Sequence, residues 1–139
     1  MKVTDRVYYL AALALQGVAL VLEMLPIGAV MVFATSPTER TIEVYSYFSM
    51  LPVGYANFAP LLTGILTILI ILLGVIALFR FDKAASIRRT IFVCSIISLL
   101  FSIVPVFLFG TVGMTAASYA VSCAILLSNC LQAVANRQE

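Results

Sequence analysis

Residues 90–136 read TIFVCSIISLLFSIVPVFLFGTVGMTAASYAVSCAILLSNCLQAVAN and carry no charged side chain from end to end. A hydrocarbon core of roughly 30 Å needs about 20 helical residues. The stretch is therefore too long for one crossing and long enough for two. Its one strong turn signal is Gly110-Thr111-Val112-Gly113. Two helices are expected, at about 91–109 and 114–135, joined by a tight turn.

Toward the amino terminus, residues 44–79 are also free of charge, but the front part, 45–57, mixes aromatics with Pro52, Gly54 and Asn57. A membrane helix is expected only at about 58–79. Before that, the apolar run 7–22 is followed by the single acid Glu23, with no further charge until Glu39. It holds one more crossing, at about 7–33. The chain thus reads as an all-α polytopic membrane protein, a four-transmembrane-helix bundle forming a single membrane domain over 1–139. An outer segment occupies 35–57 and a cytoplasmic loop 80–90. Val32-Phe33-Ala34 has the form of a signal cleavage site, but the preceding run is longer than the roughly 7–15 residues of a signal h-region and contains Glu23. Helix one is expected to be retained.

Composition agrees. The 139 residues are 63% hydrophobic and 10% charged, against roughly 45–50% and 25% in soluble domains. So small a soluble fold could not bury that much apolar side chain, and membrane lipid becomes the implied surroundings. Disorder and nucleic-acid partners fit poorly. With no histidine, and with Cys94, Cys123 and Cys130 as the only cysteines, there is no ligand set for a zinc, haem or copper site and no C-x-x-C pair. No metal or other cofactor is expected.

Basic residues set the orientation. Lys2 and Arg6 precede helix one, Arg80, Lys83, Arg88 and Arg89 lie between helices two and three, and Arg137 follows helix four, which leaves Arg40 alone on the other side. Such asymmetry places both termini in the cytoplasm of a multi-pass protein of the cell membrane.

In the outer segment, Ser36-Pro37-Thr38-Glu39 has the form of a capping box with proline at the first helical position, which favours a short interfacial helix at 37–50. Thr41-Ile42-Glu43-Val44-Tyr45-Ser46-Tyr47-Phe48 competes as a strand, but no partner strand is in view. Tyr45, Tyr47, Phe48 and Tyr55 would lie at headgroup depth as an outer interaction surface, either an anchoring belt or a docking face. The echo between Met24-Leu25-Pro26-Ile27-Gly28 and Met50-Leu51-Pro52-Val53-Gly54 is too poor in glycine to cradle a phosphate.

Glu23 stands out. It lies roughly 24 Å along helix one, inside the hydrocarbon zone, where an ionisable group marks either a site or a buried pair. Tyr9, Gln16 and Glu23 share a heptad-spaced stripe that should face the bundle interior. Pro26 should kink the helix one turn later. No basic residue falls within an expected span, so desolvation favours a neutral acid unless water reaches it. Milder stripes run along the other helices: Thr63, Thr67 and Gly74; Ser95, Ser98, Ser102 and Pro105; Ser118, Ser122 and Asn129. Counted inward from each end, Thr63, Ser102 and Ser122 reach the depth of Glu23, and Asn129 that of Gln16. The candidate ligand- or proton-binding set is therefore Glu23, Gln16, Pro26, Thr63, Ser102, Ser122 and Asn129, with interhelical packing as the plainer role.

No nucleophile is paired with a base, and the acids other than Glu23, namely Asp5, Glu39, Glu43, Asp82 and Glu139, lie outside the spans, so no catalytic set and no enzyme are expected. The leading expectation is a small non-catalytic integral membrane protein that binds a partner membrane protein or lipid. The alternative is a dimeric proton- or cation-coupled transporter. Helix count, chain size and Glu23 within helix one resemble the small multidrug resistance transporters, in which such a glutamate binds substrate and proton competitively. That resemblance implies a homodimeric exporter. It covers Glu23 and the four-span layout; this chain has no tryptophan, a long outer segment where that family has short loops, and Pro26 beside the acid.

Overall fold

The first apolar run is helical only over Val3–Met24 (α1) in the computed structural model, which describes residues 3–34, 36, 39–50, 58–79 and 85–137. Asp5 sits in its first turn, where an acid complements the helix dipole. Pro26 follows two residues after the last helical residue and has no N–H for the Leu22 carbonyl, so it ends the helix instead of kinking it. The expected helix to residue 33 is thereby corrected. The chain turns through Leu25–Gly28 and becomes extended as Ala29–Ala34 (β1), antiparallel to Arg40–Tyr45 (β2), with Ala29 opposite Tyr45 and Ala34 opposite Arg40.

The expected outer helix at 37–50 falls with it. The strand-forming run after Arg40 has a partner after all, in residues whose apolar character reads as a continuation of helix one. The Ser36-to-Glu39 capping signature serves the connection between the strands: the Glu39 N–H donates to Ser36 Oγ at 3.0 Å and the Ser36 N–H to the Glu39 carbonyl at 3.3 Å.

Three further helices follow, Phe58–Phe79 (α2), Ala85–Phe109 (α3) and Ala116–Arg137 (α4). α3 begins well before residue 91 because Arg88 turns inward, 5% exposed, instead of lining a loop. This also corrects the expectation that no basic residue enters a span. α3 runs into a 3-10 turn at Gly110–Gly113. Gly110 has φ +66°, a left-handed conformation that suits glycine, and a Cβ on Gly113 would fall 2.6 Å from the Pro105 carbonyl oxygen. Met114 bridges to Ala29, so β1 lies between β2 and the α3–α4 turn. Thr115 then caps α4: the Ser118 N–H donates to Thr115 Oγ1 at 3.2 Å, and the Thr115 N–H donates to Ser118 Oγ at 3.1 Å.

α1 packs most extensively on α4 and α2 on α3, with α3 against α4 and α1 against α2 completing the ring. Each helix turns small or polar residues inward at intervals of three and four. α1 buries Asp5, Tyr9, Ala12, Gln16, Ala19 and Glu23; α3 buries Arg88, Ile91, Ser95, Ser98 and Ser102. Large apolar side chains point outward, Phe79 and Phe107 being 86% and 79% exposed. This inversion of the soluble pattern suits lipid as solvent, and small inward residues let the helices approach closely. The result is an all-α four-helix bundle with a two-stranded hairpin at one end, and all four helices are long and apolar enough to span a membrane.

Candidate functional site

Glu23, one residue before the end of α1, is fully buried. Its Oε1 accepts a hydrogen bond from Thr67 Oγ1 of α2 at 2.9 Å, and the same hydroxyl lies 3.0 Å from the Thr63 carbonyl, so one proton serves two acceptors. Glu23 Oε2 has no hydrogen-bond partner among the described residues. The carbonyl of Glu23, one of those that helix termination leaves open, accepts the Tyr47 N–H at 2.9 Å.

Tyr47 closes the bundle above the acid. It is 3% exposed and joins Ala19, Ala29, Val121, Ala124 and Ile125 in one apolar cluster. A Cβ on Gly28 would lie 2.7 Å from its ring, so glycine is what lets the ring in. Burial, and secondarily the nearby Glu23 carboxyl, push the Tyr47 phenol above the ordinary tyrosine value. Phe48 behaves similarly against α2, where a Cβ on Gly64 would meet its ring at 2.7 Å. Tyr45 is half-buried and donates its hydroxyl to the Glu43 carboxylate. The aromatic outer surface is thus corrected: Tyr47 faces the core, Phe48 packs on α2, and Tyr55 lies outside the described residues. Ile42 and Val44, 52% and 39% exposed, carry the hairpin's apolar exterior instead.

About two helical turns along α1 from Glu23, a second polar node joins three helices. Gln16 Nε2 donates to Ser95 Oγ of α3 at 2.9 Å and to Ser128 Oγ of α4 at 3.2 Å. Gln132 Nε2 reaches the same Ser128 Oγ at 3.1 Å, and Ser128 Oγ donates a hydrogen bond to the Ala12 carbonyl at 2.9 Å. Asn129 Nδ2 donates to the Ser95 carbonyl at 3.3 Å. Nearer the hairpin, Ser122 Oγ donates to Ser102 Oγ at 3.0 Å, and Ser98 Oγ lies 3.5 Å from the Thr63 carbonyl. At the opposite end Asp5, Tyr9 and Arg88 are buried.

The structure brings Gln16 and Asn129 together around Ser95, and Thr63 joins Glu23 through Thr67. Ser102 and Ser122 pair with each other. Pro26 is exposed at the turn and contributes no polar group. Sequence reasoning missed Ser128 and Gln132 as members; the signal was there, since 118, 121, 125, 128 and 132 continue one inward face of α4. The cysteines are free, with Cys123 and Cys130 exposed, and among the described residues no acid or cysteine cluster could hold a metal ion. Chemically the middle of the bundle offers hydroxyl and amide hydrogen bonds beside the enclosed Glu23 carboxyl, with Asp5 and Arg88 buried at the far end. No protein-family model, curated protein or solved structure matches the chain.

Proposed function

We propose that the protein is a small, non-catalytic integral membrane protein whose bundle is surrounded by lipid and whose hairpin receives a partner protein by strand addition. The observation that carries this reading is the edge of β2. Among the described residues β2 pairs with β1 alone, and its Ile42 and Val44 are exposed. A strand edge with apolar side chains is a template for another strand. The burial of Glu23 and its bond to Thr67 support the non-catalytic part, since they are the features of an interhelical contact. The distribution of basic residues supports cytoplasmic termini in the cell membrane and an outward hairpin. Photo-crosslinking from position 42 tests the reading, with exposed Leu100 of α3 as the comparison site. A discrete adduct formed only from 42 and lost in Val44→Lys is expected, its mass distinguishing a second copy from another protein. Equal labelling from both positions would refute partner docking at the hairpin.

One observation favours a second reading, a dimeric proton- or cation-coupled transporter: Glu23 Oε2 lacks a partner among the described residues, on a polar seam. That reading requires Glu23→Gln to abolish coupled flux in proteoliposomes while the protein still folds, and unchanged flux would end it.

A further inference from the structure

Gln16 and Gln132 face each other across α1 and α4 with their nitrogens on one hydroxyl, and proton counting fixes their orientation. Ser128 Oγ has a single hydrogen, which goes to the Ala12 carbonyl. It can therefore only accept from the two amides, so each must present its NH2 to it. Flipping either side chain, the usual ambiguity for glutamine, would set an amide oxygen against an oxygen with no hydrogen left to give. Both Oε1 atoms must point away from Ser128. Neither has a hydrogen-bond partner among the described residues, although Gln16 is 0% and Gln132 3% exposed.

Gln16 and Gln132 both line a small cavity, together with Tyr9, Leu13, Ile70 and Ile91, which leaves the centre of a water molecule about 10 Å³ to occupy. That is room for one water and little else. We infer that this cavity is a built hydration site, in which one ordered water donates one hydrogen to Gln16 Oε1 and the other to Gln132 Oε1. A buried polar oxygen without a donor is costly, and two of them at one water-sized space call for the one small neutral molecule that donates twice. A monovalent cation would also seek oxygens, but none of the residues lining the cavity is an acid that would neutralise it. The water is thus a component of the α1–α4 contact, completing the amide pair that Ser128 begins. The inference stands apart from the proposed partner docking at the hairpin.

The test is a structure of the full chain in lipid at a resolution that shows ordered water, with and without a thallium soak. The expected result is one peak within about 2.7–3.2 Å of both oxygens, without anomalous signal. An empty site in a map that resolves other buried waters would overturn the inference, as would an anomalous peak, which would mean a cation. In Gln132→Met the water should vanish while Gln16 keeps Ser95 and Ser128; an unmoved peak would overturn it too. Should that variant fail to fold, the native protein still decides: a cross-relaxation peak between a long-lived water and the Gln16 side-chain amide is expected, and its absence would refute the site.

Discussion

The backbone N–H of Tyr47 donates to the carbonyl of Glu23 at 2.9 Å, joining a residue beyond the hairpin to the last turn of α1. One residue therefore finishes the helix and roofs its acid: the peptide supplies the donor lost when the Ile27 N–H turns to the Leu25 carbonyl, and the ring fills the space over Gly28.

The roof should be sensitive at Gly28 and tolerant at Gly74. A Cβ at Gly28 meets the Tyr47 ring, which is 3% exposed and hemmed in, whereas a Cβ at Gly74 meets Leu13 Cδ1 at 2.6 Å, the free end of a flexible chain. Gly28→Ala should cost about 1–3 kcal/mol by overpacking and expose the hairpin to protease, while Gly74→Ala should stay within about 1 kcal/mol. Thermal unfolding in detergent and limited proteolysis read both. Equal costs would mean that Tyr47 is not held.

Thr67→Val keeps shape and removes the donor to Glu23 Oε1. Interhelical hydrogen bonds in membranes average about 0.6 kcal/mol, and stranding a buried carboxyl adds to that, so a loss of about 1–2 kcal/mol is expected. Pairing it with Glu23→Gln, whose amide brings its own donors, should recover part of the loss in the same unfolding assay. Additive losses would show that the two side chains are not coupled.

The hairpin base is stitched to α4 by two hydroxyls. Thr115 Oγ1 donates to the Ile27 carbonyl at 2.6 Å, and Ser118 Oγ to the Gly28 carbonyl. Thr115→Val and Ser118→Ala should each cost about 0.5–2 kcal/mol, the range for lost helix caps. Amide exchange should speed up at residues 27–31 before it changes in α2. Faster exchange in α2 first would place the weak point elsewhere.

Alkaline pH should loosen the same roof. Burial first, and the Glu23 carboxyl second, raise the Tyr47 phenol above the ordinary value. A group raised on folding contributes stability that is complete below its unfolded value, near pH 10, and is lost as pH climbs toward the folded value. Unfolding measured between about pH 9 and pH 12 should therefore decline more steeply in the native chain than in Tyr47→Phe. Parallel curves would contradict the burial of that hydroxyl.

Much of the bundle was legible because its cues are local. α2 has the bounds that charge and composition indicate, and the stripe Tyr9, Gln16, Glu23 is buried as its spacing requires. The hairpin was not legible, because a strand is defined by a partner remote in sequence, and Ala29–Ala34 is as apolar as the helix before it. Pro26 and Gly28 were the available warning: a proline and a glycine within five residues of an acid mark an ending more often than a bend. The inward turn of Arg88 had no sequence cue that separates it from neighbouring Arg89. Tyr47 was misplaced for a related reason, since an aromatic suited to the membrane surface suits the top of a core equally well.

α1 and α4, remote from each other in the sequence, are each other's principal neighbours. Until α4 emerges, Gln16 on the nascent α1 lacks its Ser128 partner and the helix that covers most of that face. A chain stopped before α4 thus carries its own mark of incompleteness, a polar position on α1 that α4 helps to hide.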